Sequence, residues 1–184
     1  MKSVVAFCLA VIASCGVLSA APLTIIEDGE SRAAIVVATG EEQAQRAAEG
    51  IQKYVEKMSG ARLEIFEEGE AASASQVHIY VGHTAAAKRQ GIEIPSGHDP
   101  SVRPDAFEEE GYVLQTKGNN IFIGGNSDGP YRGTIYGAYA FLEELGCRWY
   151  FPGEWGEIVP KRKTVTVPHL DVESRPDFPV RQIS

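Results

Sequence analysis

Cysteine is scarce in this sequence of 184 residues, and the three that occur cannot build a disulfide framework. The apolar N-terminal run that holds two of them has the features of a secretory signal peptide, with Lys2 as a minimal positive region and Ser19-Ala20-Ala21 as a cleavage site. Removal of residues 1–21 leaves Cys147 alone, and a single thiol cannot form an intrachain bridge. We therefore expect a secreted or periplasmic protein without intrachain disulfides.

The same N-terminal run allows a second interpretation. Ile12-Ala13-Ser14-Cys15 fits a bacterial lipobox, which would make Cys15 the lipidated N-terminus of an anchored lipoprotein. Ordinary cleavage is favoured because the apolar run continues past Cys15 through Val17 and Leu18. In either case the run from Val4 to Leu18 is shorter than the roughly 20 apolar residues that an ordinary transmembrane helix needs.

Basic charge is also in short supply. The chain has 17 Lys and Arg against 25 Asp and Glu, a formal net charge of −8, and its longest basic run is Lys161-Arg162-Lys163. The chain therefore lacks the basic patch that is typical of nucleic-acid-binding proteins. The glycine-rich turn at residues 124–129 lacks the spacing of a phosphate-binding loop, Asp128 would repel an anion, and Pro130 has no amide proton to donate. We expect neither nucleic acid nor nucleotide as a partner.

Few side chains could carry chemistry. His98 and Asp99 are the nearest approach to a metal-ligand pair, but a third ligand at suitable spacing is missing, so we expect neither metal nor cofactor. Glu154 and Glu157 lie in a loop with nothing to raise their pKa, and we interpret both as solvated. Cys147 follows a helix end, where a small buried residue is the expected role. The sequence therefore indicates no catalytic residue.

The most informative stretch runs from residue 121 to residue 160. An apolar strand, Ile121–Ile123, meets a turn and then a helix in which Gly133 and Gly137 lie four apart, a spacing that predicts a close backbone approach to a sheet. Gly146 ends the helix. The aromatic strand Cys147–Pro152 follows, and it is too apolar to be left in water over its whole length.

The order of elements predicts the fold class. Strands and helices alternate as β-β-α-β-β-(α)-β-β-α-β, with a capping box at Thr39 and Glu42 before the first long helix. This order predicts an α+β two-layer sandwich, a mixed sheet with two long helices packed on one face. We expect the domain to span residues 22–168, and proline residues assign residues 169–184 to an extended linker.

Two motifs carry a resemblance to a known group of proteins. Arg132-Gly133-Thr134-Ile135-Tyr136-Gly137 resembles the helix motif of the small α+β domain that precedes the catalytic barrel in β-hexosaminidases and α-glucuronidases. Leu145-Gly146-Cys147-Arg148-Trp149-Tyr150 resembles a group of secreted bacterial proteins with that domain before a glycosidase-like barrel. The resemblance implies structural roles for Arg132, Gly133, Tyr136, Gly137 and Gly146.

The resemblance also implies a function. The chain would be a non-catalytic N-terminal domain of a secreted carbohydrate-active enzyme, packed against a following (β/α)8 barrel. Residues 169–184 would then comprise the linker and the start of that barrel, whose remainder is missing from this sequence. In the resembling families an arginine at the position of Arg181 often contacts the sugar. One alternative is a free-standing carbohydrate-binding module that uses Trp149, Tyr150 and Trp155 as stacking platforms.

Another alternative is a small hydrolase in its own right. Its candidate residues are Cys147, His83 and Glu154, which are the nucleophile, base and acid types that the chain offers near predicted element ends. This hypothesis requires side chains brought together in a pocket, so the structure can test it directly.

Overall fold

The computed structural model of the protein describes residues 21–70, 75–98, 101 and 110–175. Almost all of the predicted signal peptide, Asp99 and Arg181 lie outside these residues. Within the described part, no helix is long and apolar enough to span a bilayer.

The secondary structure mixes short strands with two longer helices. The elements in chain order are β1 (Leu23–Glu27), β2 (Glu30–Ser31), β3 (Ala33–Val37), α1 (Glu42–Ser59), β4 (Glu64–Glu67), β5 (Val77–Val81), α2 (Ala85–Arg89), β6 (Tyr112–Lys117), β7 (Asn120–Gly125), α3 (Gly133–Glu144), β8 (Arg148–Trp149), β9 (Glu157–Ile158), β10 (Val165–Val167) and β11 (Asp171–Ser174).

A six-stranded sheet forms the centre of the fold, in the order β11-β6-β7-β5-β3-β4. Strands β4, β3, β5 and β7 run parallel, whereas β6 pairs antiparallel with both β7 and β11. Ile35 of β3 lies opposite Ile79 of β5, which in turn lies opposite Ile121 of β7. One face of the sheet is therefore a continuous apolar surface.

The helices α1 and α3 cover that apolar face. Helix α1 places apolar residues at helical spacing along one side, as its amphipathic sequence predicts, and buries them against the sheet and against α3. The predicted α+β two-layer sandwich with two long helices on one face is confirmed. The buried residues of α1 are Ala44, Ala47, Ala48, Ile51, Tyr54, Val55, Met58 and Ser59.

The opposite face of the sheet has a second, smaller apolar cluster. The short helix α2 and Ile92 pack over Val113 and Phe122, and Tyr80 stacks on Phe122 with ring centroids 5.1 Å apart. The segment that follows α2 is thereby fixed against the sheet. It passes close to the carboxyl ends of the parallel strands, as described below.

A small sheet of β10, β1 and β2 closes one end of the main core. Ile25 and Ile26 of β1 and Val165 and Val167 of β10 are all fully buried. Strand β10 thus belongs to this small sheet, which the order of elements in the sequence did not predict as a separate unit.

Helix α3 approaches β7 at the backbone itself. A Cβ atom on Gly133 would lie 2.5 Å from the amide nitrogen of Asn126, and one on Gly125 would lie 2.6 Å from the carbonyl oxygen of Gly111. Gly137 faces Ile123 in the same contact. The close approach predicted from the two helical glycines is confirmed.

Two local expectations differ from the structure. The first residue before α1 is Glu41 and its side chain makes no cap hydrogen bond, while the Thr39 hydroxyl donates to the carbonyl of Glu68, so the predicted capping box is wrong. The sheet also extends beyond residue 168, because Asp171–Ser174 pairs with β6 as an edge strand. Pro168 and Pro176 flank this segment in the sequence but do not prevent the short strand from pairing.

Candidate interaction surface

An aromatic hairpin follows helix α3, and we use this name for residues 148–158. Its two short strands, β8 and β9, pair antiparallel, and the Tyr150 amide donates to the carbonyl of Gly156 at 2.9 Å. The predicted aromatic strand Cys147–Pro152 is therefore only two residues long. Pairing stops after Trp149 because the chain turns back through a short 3-10 turn at Glu154–Gly156.

The hairpin exposes large apolar side chains to solvent. Tyr150 is 65% exposed, Phe151 is 72% exposed and Trp155 is 102% exposed. Ile158 of the hairpin is 52% exposed, and Tyr139 of α3, whose ring contacts Trp149, is 45% exposed. Single exposed apolar residues are ordinary, but several large ones within one short hairpin make it a candidate interaction site.

Trp149 is the anchor of the hairpin. Its indole N–H donates to the Tyr54 hydroxyl of α1 at 3.0 Å. The indole ring also makes edge-to-face contacts with Tyr54 and with Tyr139, at centroid distances of 5.1 and 5.0 Å. Such contacts hold a ring in one orientation. The Trp149 side chain, predicted to stack on a sugar, is already engaged by contacts with Tyr54 and Tyr139 of the same domain.

Glu157 is the second anchor. The Tyr54 hydroxyl and the Lys57 ammonium both donate to its carboxylate, each at 2.7 Å. The hydrogen bond from Lys57 is the main reason why the pKa of Glu157 lies below its usual range, whereas burial chiefly raises the pKa of Tyr54. The interpretation of Glu157 as solvated is wrong, while that of Glu154, which is exposed, agrees with the structure.

A groove of about 580 Å³ lies between the helices and the hairpin. Tyr54, Tyr139, Glu143 and Trp149 form one part of its lining, and the turn at residues 150–153 forms the other. The groove is open to solvent and mixes ring surfaces with two carboxylates. It could accept a side chain of another domain or one sugar ring, since both bring an apolar face with polar edges.

The residues of the small-hydrolase hypothesis are not brought together. Cys147 is fully buried, and burial raises the pKa of its thiol, which leaves it protonated and inert. His83 is bound to Glu41 and to the carbonyl of Pro95, and Glu154 lies on the exposed hairpin. A nucleophile and a base within hydrogen-bond reach are absent from this set.

Metal chemistry finds no support in the described part of the chain. Among those residues, no group of three His, Cys, Asp or Glu side chains is placed to hold a metal ion. His98 instead shares a hydrogen bond with the Tyr131 hydroxyl at 3.1 Å.

The five motif residues occupy structural positions around α3. Arg132 is the residue before the helix, Gly133 and Gly137 face the sheet, and Tyr136 is 39% exposed on the outer side. Gly146 has a φ of 94° and its amide donates to the carbonyl of Glu143, which ends the helix and turns the chain towards the hairpin.

Sequence reasoning missed the partners of the hairpin on α1. Tyr54 and Lys57 lie 95 or more residues from Trp149 and Glu157 in the sequence, so no local spacing links them. The amphipathic pattern predicts only that Tyr54 faces the core. A tyrosine at the edge of such a face, with a hydroxyl that needs a partner, is the one available signal.

Comparison with known protein families defines the class as an N-terminal domain of glycoside hydrolases. Residues 24–141 match the model described as the glycosyl hydrolase family 67 N-terminus, and the chain belongs to this family. No curated protein matches the sequence.

The solved structures to which this chain is similar have much longer chains. The chain is similar to the Streptomyces plicatus N-acetyl-beta-hexosaminidase, with 14% identity and a TM-score of 0.48 over 86% of this chain and 24% of that one. The chain is also similar to the Streptomyces coelicolor A3(2) GH20 beta-N-acetylhexosaminidase, with 15% identity and a TM-score of 0.47 over 86% of this chain and 24% of that one. Its similarity to the Flavobacterium johnsoniae chitobiase has 14% identity and a TM-score of 0.44, over 84% of this chain and 19% of that one. The chain spans at most about a quarter of their length.

Proposed function

We propose that this chain is the non-catalytic N-terminal domain of a secreted carbohydrate-active enzyme, and that the aromatic hairpin docks it against a companion (β/α)8 barrel. The exposure of the Tyr150, Phe151 and Trp155 rings within six residues of one hairpin carries the proposal, because leaving large apolar side chains in water is unfavourable. Family membership supports glycans as the substrates of the whole protein.

A rigid support for the hairpin favours docking. Trp149 and Glu157 fix both strands of the hairpin to α1 through Tyr54 and Lys57. A surface that is held in one conformation before binding loses little conformational entropy when a partner covers it. The exposed rings therefore act as a preformed interface.

A non-catalytic role is supported by the state of the acidic residues. Glycoside hydrolysis needs two carboxyl groups across the scissile bond, one of them with a raised pKa. The pKa of Glu157 is lowered, and its carboxylate is engaged by Lys57 and Tyr54. Catalysis by the whole protein, and a sugar contact from Arg181, are assigned in this proposal to the barrel.

The carbohydrate-binding alternative has one specific observation in its favour. Trp155 is fully exposed, and the groove beside Phe151 has a volume of about 580 Å³ and is open to solvent. Trp149 contributes little to this alternative because its N–H and its ring are already engaged. The two functions are separable, since only one needs a protein partner.

The test uses the companion domain itself. Reading the gene beyond the codon for Ser184 identifies the companion, which is then expressed separately and titrated with this chain by calorimetry. We expect the double variant Phe151→Ser, Trp155→Ser to weaken binding by at least about tenfold, because ring burial contributes on the order of 1.4 kcal/mol or more.

The control is Glu154→Gln, which changes the charge of the same hairpin and keeps its apolar area. Unchanged affinity in the double variant contradicts the docking proposal. Retention of the native chain on insoluble polysaccharide, lost in the Trp155 variant, together with no binding to the companion, would favour the carbohydrate-binding alternative.

A further inference from the structure

The segment Ile92–His98, here called the strap, is bonded to groups that follow the carboxyl ends of neighbouring parallel strands. After β7, the Asp128 carboxylate accepts from the Gly97 amide at 2.7 Å, and the Asn126 side chain donates to the Gly97 carbonyl at 2.8 Å. After β5, the His83 ring contacts the carbonyl of Pro95 at 3.1 Å. The strap is thus fastened at two points along its length.

Both ring nitrogens of His83 face acceptors. Nδ1 lies 3.0 Å from Oε1 of Glu41, and Nε2 lies 3.1 Å from the carbonyl oxygen of Pro95. A carboxylate and a carbonyl have no proton to offer, and a neutral imidazole carries only one N–H. Only the doubly protonated ring can donate to both oxygens at once.

The surroundings of Glu41 also favour a positive charge on the His83 ring. Its Oε1 also accepts from the His83 backbone amide at 3.0 Å, and its Oε2 is buried without a hydrogen-bond partner among the described residues. A Cβ on Gly82 would lie 2.5 Å from that Oε2, so the carboxylate is pressed against the chain. A carboxylate in this position is stabilised by a positive neighbour, which His83 supplies.

The charged groups that face His83 are acidic. Glu41 comes from the start of α1, and Asp128 comes from the loop after β7. Helix α2, which follows His83, has no acidic side chain in its own first turn, but the Glu68 carboxylate accepts from the Ala85 and Ala86 amides at that end of the helix. The hydrogen bond with Glu41 is the largest cause of the raised pKa of His83, and burial acts in the opposite direction.

We propose that His83 is a protonation-dependent clasp that holds the strap over the carboxyl edge of the parallel strands and releases it at Pro95 as the pH rises. When the ring loses one proton, the remaining N–H stays with Glu41, because a charged acceptor is the stronger one. The ring lone pair then faces the Pro95 carbonyl, and that contact turns repulsive.

The direction of the pH dependence follows from the sign of the shift. The pKa of His83 is higher in the folded protein than the value of about 6.5 expected in the unfolded chain. The stabilisation of the closed strap by His83 is therefore fully present at pH values below about 6.5. The contribution is lost as the pH rises through the raised pKa of the folded state.

Hydrogen–deuterium exchange of the intact protein between pH 5 and pH 9 tests the clasp. The readout is the uptake of peptides that cover residues 91–98, corrected for the intrinsic pH dependence of amide exchange. We expect the corrected rate to rise by about tenfold or more across the titration, which corresponds to the loss of one hydrogen bond to a charged group. Peptides from β5 and β7 should not change.

Two variants assign the effect to His83. His83→Gln, which cannot donate to both acceptors, should exchange rapidly at every pH, and the control His98→Gln should keep the native pH dependence. If His83→Gln fails to fold, Glu41→Gln replaces it, and its transition should move to lower pH. A flat native profile, a transition that persists in His83→Gln or Glu41→Gln unchanged, or its loss in His98→Gln would overturn the proposal.

Discussion

Trp149 and Trp155 lie six residues apart on the same hairpin, but their side chains meet different surroundings. Trp149 has a hydrogen bond to Tyr54 and edge-to-face contacts with two tyrosine rings. Trp155 is fully exposed. Sequence reasoning assigned both to sugar binding, because residue type alone does not report which ring is already packed.

The two tryptophans predict opposite effects on stability. Trp149→Ala should lower the free energy of unfolding by about 2 kcal/mol, since it removes half-buried ring contacts and leaves the Tyr54 hydroxyl without a donor. Trp155→Ala, the matched control, should change it by less than about 0.5 kcal/mol. Urea unfolding followed by circular dichroism measures both. Equal effects would contradict the division of roles.

Glu157 makes the stability of the hairpin depend on pH. Its pKa is lowered in the folded protein chiefly by the hydrogen bond from Lys57. A carboxyl group of this kind contributes stability above its unfolded pKa of about 4.3, and the contribution is lost as the pH falls through the lower folded pKa.

This dependence can be measured by difference. The native protein should be more stable than Glu157→Gln at pH 7, and the two stability curves should converge below pH 4 as the native carboxylate is protonated. Thermal unfolding at intervals from pH 3 to pH 7 gives both curves. Glu154→Gln on the exposed turn is the control and should follow the native curve throughout.

At the scale of elements, the contact between α3 and β7 depends on the absence of side chains. Gly133 and Gly125 meet backbone atoms at distances that leave no room for a Cβ. The helical spacing of Gly133 and Gly137 predicts this contact, because glycine weakens a helix interior unless packing requires it. The partner glycine on the strand could not be inferred from the helix alone.

Gly133→Ala should therefore destabilise the fold by about 2 kcal/mol or more, because the added methyl group meets backbone on both sides and cannot be accommodated by a rotamer change. Gly50→Ala in α1 is the matched control, since a Cβ there meets nothing within 4 Å. It should be neutral or stabilising by up to about 1 kcal/mol. Chemical unfolding of both variants distinguishes the two sites.

Some elements follow from local sequence and others do not. The hairpin of β6 and β7 turns at Gly118, whose φ is 58°, as its turn residues predict. The capping box at Thr39 failed because the hydroxyl found a tertiary acceptor on Glu68. The aromatic strand after Gly146 was predicted too long, since strand length is decided by the partner strand β9.

At the scale of the whole molecule, strand pairing decides where the domain ends, and the amino-acid composition of the segment does not. Asp171–Ser174 reads as part of a proline-interrupted linker, yet it completes the sheet beside β6. Pairing with a strand more than 50 residues away leaves no mark in local composition. The layer architecture was predictable because it depends on the apolar periodicity of many residues at once.

Truncation tests the extent of the domain. A chain that ends at Arg175 should keep native stability, whereas one that ends at Leu170 should lose roughly 2 kcal/mol, because the loss of β11 removes backbone hydrogen bonds and leaves β6 as an open edge. Thermal unfolding compares the two chains. Equal melting temperatures would show that β11 contributes nothing to the fold.

The outermost strands of the main sheet also bear on self-association. β4 carries exposed carboxylates at Glu64 and Glu67, and β11 carries them at Asp171 and Glu173. A second copy that tried to prolong the sheet at either border would bring like charges together, which opposes amyloid-like stacking. In the part of the chain that the structure describes, acidic side chains on both edge strands thus oppose self-association through the main sheet, while the aromatic hairpin stays available to a different partner.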